Sequence, residues 1–358
     1  MGNQVHGGKF AAYDTPESFM NGSKLDSPNS FGPALDVLIK GKEWSLISKL
    51  LSSNKAIATC RHPSTNQYPL SRALCRQVHK DILLQLLELN PNACLEVDIN
   101  GWLPLHHAAC NLCPVEVVDE IISIYPDAVS IPDPQGQTCL HFAAKFKLPS
   151  DSFRSILKTN PQMASYKTRL GALPLHFASQ NRQSLEVIEM LLSAHPMAVK
   201  ESLEGRLPIH YACKNRADVA VLKAFLDLSH GDAATERSND MTLPLHICTG
   251  NKAELDAVIL ITEAFEDALN EKDRTGRLPI HYALEKQAPF SVVRYLLSKD
   301  PSTASVRGHG GNLPLHIALE KQLPSSFILD VLNACPMAAQ VRDMYGHLCN
   351  HVVVVVVS

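Results

Sequence analysis

The sequence predicts an all-α fold, a solenoid built from repeated pairs of helices. Three observations support this prediction: a histidine that returns every 34 to 36 residues, a proline two positions before most of these histidines, and apolar residues spaced by three and four between them. Sequence periods of roughly 20 to 50 residues are typical of stacked repeats. The histidines are His106, His141, His176, His210, His246, His281, His316 and His351.

Each repeat is predicted to begin with a short helix. Pro174 suits the first turn, because its missing N–H has no intrahelical partner to lose and its fixed φ is already helical. We expect this helix to end at Asn181 in the left-handed conformation, which asparagine tolerates better than most residues. Asparagine stands at the same phase in three other repeats, as Asn111, Asn215 and Asn251.

A second, amphipathic helix is predicted over residues 185–192, with Ser184 as its N-cap. This helix should stop before a proline, because the residue that precedes a proline is disfavoured in the α region. The loop to the next repeat often carries an Asp-x-x-Gly turn, as at residues 98–101 and 273–276. The prolines that end the second helices are Pro91, Pro126, Pro161, Pro196, Pro301 and Pro336.

The motif around the histidines resembles the ankyrin repeat. Residues 171–178 read Gly-Ala-Leu-Pro-Leu-His-Phe-Ala, residues 205–212 read Gly-Arg-Leu-Pro-Ile-His-Tyr-Ala, and the repeats around His281 and His316 agree. The family fingerprint is Thr-Pro-Leu-His-x-Ala at a period of about 33 residues. Here Thr138 keeps the threonine and leucine replaces it in nearly every other repeat, which is the mark of a divergent subclass. The resemblance implies an ankyrin-repeat solenoid of paired antiparallel helices with turn-bearing loops, and a non-catalytic role.

The chain is predicted to have three segments. Residues 1–33 are rich in glycine, serine, asparagine and proline and lack periodicity, so we expect a disordered N-terminal tail. Residues 34–351 form an array of about ten repeats, of which the first and the last are degenerate. Residues 352–358 form a hydrophobic, valine-rich end that is too short to cross a bilayer.

Composition restricts the function and the location. A net charge of -3 does not favour binding of nucleic acid, which usually requires a basic domain. The chain lacks a secretory signal, so its ten cysteines are expected to be reduced and the protein to be intracellular, in the cytoplasm or the nucleus. Membrane contact is expected only if Gly2 is myristoylated or if the chain continues past Ser358. We expect a monomer.

No catalytic, cofactor or metal site is predicted. The histidines are interpreted as hydrogen-bonding groups near the first-helix start, because equivalent residues of successive repeats lie too far apart to share a zinc ion. Cys110 and Cys113 form a CxxC pair without a second pair at zinc spacing. The sequence contains no P-loop, HExxH, nucleophile-elbow or kinase motif.

Binding of another protein is predicted at the loop tips and the inner helices. The alternative is a regulatory or membrane-tethered portion of a larger signalling protein. The candidate contacts are Asn100, Trp102, Gln135, Arg206, Arg277 and Asn312. Basic residues also recur, and they indicate either solvated surface charge or a groove for an acidic peptide. They are Lys145, Lys214, Lys286 and Lys321 at the ends of first helices, and Arg169, Arg206, Arg274, Arg277 and Arg307 on loop tips.

The fourth interval between histidines, 36 residues long, is irregular. Gly231 stands where other repeats have proline, and Met241 stands where other loops have glycine. We expect this loop to shift by one residue, so that Asn239 or Asp240 takes the left-handed conformation. Residues 230–245 are therefore a candidate hinge or recognition loop.

Overall fold

The computed structural model describes residues 35–62, 66–76 and 78–342. These residues form helices, turns and loops, and no β-strand occurs among them. They belong to two compact units, unit 1 up to Pro134 and unit 2 from Gln135 onward. None of the helices in this part of the chain has the length and apolarity that a membrane crossing requires.

Several predicted features lie outside the described residues. They are the N-terminal tail, the myristoylation candidate Gly2, the last repeat around His351 and the valine-rich end.

Unit 1 contains three helix pairs in its described residues, each made of a first helix and a longer second helix. Short connections of this kind place neighbouring helices antiparallel. The helices are α1 (residues 35–40), α2 (Trp44–Ser53), α3 (Pro69–Leu74), α4 (Lys80–Leu89), α5 (Pro104–Cys110) and α6 (Val115–Ile124).

Unit 2 contains six more pairs within the described residues. The helices are α7 (Cys139–Phe146), α8 (Ser150–Thr159), α9 (Pro174–Gln180), α10 (Leu185–Ala194), α11 (Pro208–Lys214), α12 (Val219–Ser229), α13 (Pro244–Gly250), α14 (Leu255–Ala264), α15 (Pro279–Glu285), α16 (Phe290–Lys299), α17 (Pro314–Glu320) and α18 (Ser325–Ala334). The all-α prediction is confirmed.

Most of the first helices begin at the predicted proline, although α7 begins at Cys139. Pro174 is the first residue of α9, and the N–H of Leu173 before it donates to Nδ1 of His176 at 3.1 Å. The histidine therefore satisfies a backbone donor that the helix start would otherwise leave unpaired.

The first helices do not end as expected. Asn181 keeps a φ of -104°, and Arg182 after it takes the left-handed conformation with φ 53°. The Asn181 amide instead donates to the carbonyl of Phe177 at 2.8 Å, which satisfies an acceptor in the last turn. The chain reverses one residue later than predicted, so the expectation of a left-handed asparagine was wrong. The same correction applies to Asn111, Asn215 and Asn251.

The second helices end where the prolines predict. In α10, Oγ of Ser184 accepts the N–H of Val187 at 3.4 Å, which confirms the predicted N-cap. The helix ends at Ala194, and the 3-10 turn Pro196–Lys200 follows. The Asp-x-x-Gly turns are also confirmed, since Gly276 has a φ of 83° and so closes its turn in the left-handed region.

The irregular interval accommodates its extra residue in a helix rather than in the loop. The second helix α12 has 11 residues where α10 has 10. It ends with His230 at φ 54° and Gly231 at φ 86°, and the N–H of Gly231 donates to the carbonyl of Leu226 at 2.9 Å. A glycine is required here because the chain turns through two left-handed residues before the next 3-10 turn.

The loop after α12 consequently keeps its register. Met241 itself takes the left-handed conformation, with φ 60°, so the expectation for Asn239 or Asp240 was wrong. The N–H of Met241 donates to the carbonyl of Ser238 at 2.8 Å, and the N–H of Ser238 donates to the carbonyl of Thr242 at 2.9 Å. A one-residue shift would break both hydrogen bonds.

First helices of successive repeats pack side by side in unit 2, with α13 against α11 and α15. Ala212 and Ala283 are fully buried in these helices, where small side chains allow close approach. Larger rings fill the space beside the histidines: the ring centroids of His246 and Tyr282 lie 5.5 Å apart in an edge-on arrangement.

Candidate functional site

Six of the histidines that mark the repeats are buried, and both ring nitrogens of each form hydrogen bonds. Nδ1 of His246 accepts the N–H of Leu243 at 3.2 Å, and Nε2 donates to the carbonyl of Arg277 in the next repeat at 3.2 Å. Because a backbone N–H can only donate, the ring proton belongs on Nε2. The same pair of contacts is made by His141, His176, His210, His281 and His316.

These histidines stabilise the stack instead of supplying chemistry. Burial lowers the pKa of four of them to about 4, so they are neutral near pH 7. With both nitrogens in hydrogen bonds, they are not available as metal ligands. Within the described residues, no group of three histidine, cysteine or acidic side chains is arranged to hold a metal ion.

Unit 1 brings a thiol, an imidazole and a carboxylate into a row. Sγ of Cys75 lies 3.2 Å from Nδ1 of His107, and Nε2 of His107 lies 3.1 Å from Oδ2 of Asp98. Nucleophilic catalysis uses this order of groups but needs a thiolate. Burial raises the pKa of Cys75 to about 11 and lowers the pKa of His107, so the proton stays on sulfur. Burial likewise raises the pKa of Cys113 to about 12.

A groove of about 400 Å³ opens in unit 2 across three consecutive repeats. First helices α11, α13 and α15 line it together with the turns that precede them, and we call it the unit 2 groove. Two carboxylates, Asp240 and Asp273, belong to its lining. Its cationic side chains are Arg206, Lys214, Arg274, Arg277 and Lys286.

Asp273 organises one wall of the groove. Its Oδ1 accepts the backbone N–H of Thr275 and of Arg277, each at 2.8 Å. Its Oδ2 accepts the hydroxyl of Tyr282 at 2.7 Å and Nε–H of Arg277 at 3.1 Å. Burial alone would disfavour the charged carboxylate, but these donors hold the pKa of Asp273 well below its usual 3.8. Asp273 is therefore a fixed anion.

Arg277 is held in one orientation by the groups around it. Its Nη1 lies 3.1 Å from Oε2 of Glu285, and its Nη2 donates to the Tyr282 hydroxyl at 2.8 Å. The guanidinium carbon lies 4.4 Å from the centroid of the Tyr282 ring, which adds a cation–π contact. Burial raises the pKa of Tyr282, so its hydroxyl keeps the proton that it donates to Asp273.

The remaining cations are less constrained. Nη2 of Arg206 lies 3.2 Å from Oδ2 of Asp240, and Nη2 of Arg274 donates to the carbonyl of Asn239 at 2.6 Å. Nζ of Lys286 lies 3.5 Å from a Glu285 oxygen. Lys214 is exposed and forms no ion pair with any residue that the structure describes.

Residues 175–267, which cover most of the first two repeats of the groove, match the family model of ankyrin repeats in three copies. This chain contains ankyrin repeats. Among solved structures it is similar to the ankyrin repeat domain of Bcl-3, described as a unique member of the IkappaB protein family. The sequence identity is 20% and the TM-score 0.49, over 65% of this chain and 99% of that chain. No curated protein matches the chain.

Two of the six predicted contacts, Arg206 and Arg277, lie together in the unit 2 groove. Gln135 lies in the turn before α7, where its carbonyl accepts the N–H of Arg169 at 3.0 Å. Asn312 lies directly before the N-cap of α17 and is half-buried. The groove contains neither of the latter two.

The other two predicted contacts lie in unit 1. Asn100 is exposed, and its N–H donates to Oδ1 of Asp98 at 2.8 Å. Trp102 is half-buried, and its ring centroid lies 5.3 Å from that of His107.

Sequence reasoning missed the two residues that organise the groove, Asp273 and Tyr282. A signal was present: Asp273 precedes Arg277 by four residues and Tyr282 by nine, and Asp98 precedes His107 by the same nine. Lys214, Arg274 and Lys286 were identified as basic positions but were not chosen as contacts.

Proposed function

We propose that the chain is a non-catalytic scaffold or adaptor that binds another protein through its loop tips and inner first helices. The observation that carries the proposal is the unit 2 groove, which combines turn and first-helix side chains from three consecutive repeats. Stacked repeats create extended binding surfaces of this kind. The match of residues 175–267 to ankyrin repeats, which are in general protein-interaction modules, supports it.

The chemistry of the groove favours binding over catalysis. His210 and His246 hold backbone groups with both ring nitrogens, and Tyr282 keeps its proton. Burial also raises the pKa of several thiols, such as Cys75 and Cys113.

The proposal is tested by capture of proteins from a native cell extract on the immobilised full chain. We expect Trp102→Ala combined with Arg206→Ala to reduce the amount of captured partner several-fold, because aromatic and arginine side chains dominate interfaces. The midpoint of thermal unfolding should change little, because Trp102 is only half-buried and the partly exposed Arg206–Asp240 pair is worth only about 0 to 1 kcal/mol.

Arg294→Ala is the matched control. Arg294 lies on second helix α16 outside the groove, and its side chain is 68% exposed. Equal loss of capture in the control and in the double variant would contradict the proposal. A large drop in the unfolding midpoint of the double variant would show instead that Trp102 and Arg206 are structural.

A further inference from the structure

The unit 2 groove carries a charge opposite to that of the whole chain. Five cationic and two anionic side chains line it, a balance of +3, whereas the chain as a whole carries -3. Glu285 borders the groove and reduces the balance by one. A local field of one sign attracts a ligand of the other sign and steers its approach.

Three of the cations are available to a ligand. Lys214, Arg274 and Lys286 are exposed, and they come from first helix α11, the turn before α15, and the C-cap of α15. Arg274 donates to a neutral carbonyl, so its charge is not compensated. Lys286 shares the Glu285 carboxylate with Arg277.

The groove also supplies a fixed guanidinium. Arg277 is restrained by Asp273, Glu285 and Tyr282 before any partner binds. A side chain that is already ordered loses little conformational entropy when a ligand contacts it. Asp273 and Glu285 compensate the charge of Arg277, so Arg277 contributes a rigid part of the groove wall, and the exposed cations supply the charge for a ligand.

The carboxylate of Asp240 selects among anionic ligands. Its side chain is 63% exposed on the groove lining, where it would repel a continuous polyanion such as nucleic acid. A peptide offers backbone N–H donors that such a carboxylate can accept, together with carboxylates for the cations. Ile247, half-buried in the same lining, offers an apolar contact as well.

We propose that the unit 2 groove binds an acidic peptide segment of the partner protein. The carboxylates of that segment pair with Lys214, Arg274 and Lys286. This inference rests on the proposed function and names the chemistry of the partner at this site.

The experiment measures binding to the full chain by fluorescence anisotropy with two labelled peptides. One peptide alternates glutamate with glycine, and the other is the same peptide with glutamine in place of each glutamate. We expect the glutamate peptide to bind, and to bind more weakly as salt is added. The glutamine peptide should bind at least about tenfold more weakly, the equivalent of about 1.4 kcal/mol.

Variants place the binding in the groove. Lys214→Gln combined with Lys286→Gln should lower the affinity for the glutamate peptide about tenfold. The matched control is Lys145→Gln with Lys321→Gln, which changes two lysines at the ends of first helices α7 and α17, outside the groove. Both pairs change the net charge equally, but the control lysines do not line the groove. The affinity of the control variant for the glutamate peptide should therefore stay within about twofold of that of the parent chain.

Three results would overturn the inference. Equal weakening in both double variants would mean that bulk charge, not the groove, binds the peptide. If single-stranded RNA bound more tightly than the glutamate peptide and displaced it, the groove would be a site for polyanions. Equal binding of the glutamine peptide would remove the acidic specificity, yet the proposed function would stand, because capture by the Trp102 and Arg206 variants tests it separately.

Discussion

The Asp98 turn of unit 1 and the Asp273 turn of unit 2 use the same set of hydrogen bonds. Each aspartate accepts the N–H of the residues two and four positions later, at 2.8 to 2.9 Å. Each also accepts a ring donor nine residues later, Nε2 of His107 at 3.1 Å or the hydroxyl of Tyr282 at 2.7 Å. The carboxylate thereby fastens the turn to the first helix that follows it.

The two turns differ in the residue that they present. Four residues after the aspartate stands Trp102 in unit 1 and Arg277 in unit 2. The Trp102 ring packs on His107, whereas the Arg277 guanidinium lies over Tyr282. One backbone arrangement therefore presents an aromatic ring in one repeat and a cation in another, so binding chemistry can change while the repeat keeps its fold.

Acidification is expected to have the largest effect, because it acts on several repeats of unit 2 at once. Burial lowers the pKa of His176, His210, His246 and His281 from 6.5 to about 4. Between these values the unfolded chain binds protons that the folded chain does not. Stability is therefore complete above pH 6.5 and is lost as the pH falls toward 4, by up to ~3 kcal/mol per histidine.

Urea unfolding at a series of pH values between 7 and 4 measures this loss. His246→Gln should be less stable at pH 7 and less sensitive to pH, since one titrating ring is gone. His309→Gln, on an exposed turn, is the control and should change stability at pH 7 by less than about 0.5 kcal/mol. A free energy of unfolding that stays constant down to pH 4 would show that the buried rings titrate as they do in the unfolded chain.

The sequence predicted the parts of the fold that depend on local chemistry. Pro174 and Ser184 mark helix starts because ring geometry and side-chain capping act within a few residues. The conformation of Asn181 was predicted wrongly because its side-chain amide donates to the carbonyl four residues earlier. The general tolerance of asparagine for the left-handed conformation takes no account of this hydrogen bond. The extra residue near Gly231 was misplaced because a helix can lengthen with one more backbone hydrogen bond, whereas the loop cannot shift without losing two.

The groove could be predicted only in part. Arg206 and Arg277 were chosen as exposed tip residues, and both line it. Their positions relative to Lys214 and Lys286 depend on how successive repeats stack, which one sequence does not specify residue by residue. The contact of Asp273 with Tyr282 joins a turn to a helix across nine residues, beyond the range of helix or turn periodicity.

Removal of the turn carboxylate is the second largest expected effect and tests whether the two turns are equivalent. Asp273→Ala leaves the Tyr282 hydroxyl and two backbone N–H groups without their acceptor, so we expect a loss of about 3 kcal/mol. Asp98→Ala should cost unit 1 a similar amount. Asp267→Ala, at an exposed aspartate, is the control and should change stability by less than about 0.5 kcal/mol.

The readout is chemical unfolding at pH 7, combined with anisotropy of the glutamate peptide for the unit 2 variant. Asp273→Ala should also weaken binding of the glutamate peptide, because Arg277 loses one of the groups that hold its side chain in place. If Asp98→Ala costs much less than Asp273→Ala, the shared set of hydrogen bonds does not carry the stability. Most of it would then come from the further bonds of Asp273 to the Thr275 hydroxyl and to Nε–H of Arg277.

The smallest expected effect concerns the left-handed position that closes each turn. Gly276 occupies it in the Asp273 turn with φ 83°, and Met241 occupies it one repeat earlier with φ 60°. Met241→Gly should stabilise the protein by about 0.5 to 1 kcal/mol, because glycine relieves a conformation that costs other residues about 1 to 2 kcal/mol. Gly276→Met should cost a similar amount, since a Cβ there meets no atom within 4 Å among the described residues.

Equal and opposite shifts in the free energy of unfolding would mean that the turn is set by its hydrogen bonds, and that the closing residue adds only its backbone preference. A destabilising Met241→Gly would mean instead that the Met241 side chain, 42% exposed, contributes contacts that offset its strain. The irregular repeat would then differ from its neighbours in packing as well as in length.

Residues 230–245 show no sign of a free hinge, because Asn239 and Arg237 form hydrogen bonds to the repeats on either side, at Glu204 and Lys272. Hydrogen exchange in this loop should therefore be as slow as in the turns before and after it, and markedly faster exchange would restore the hinge predicted from the sequence.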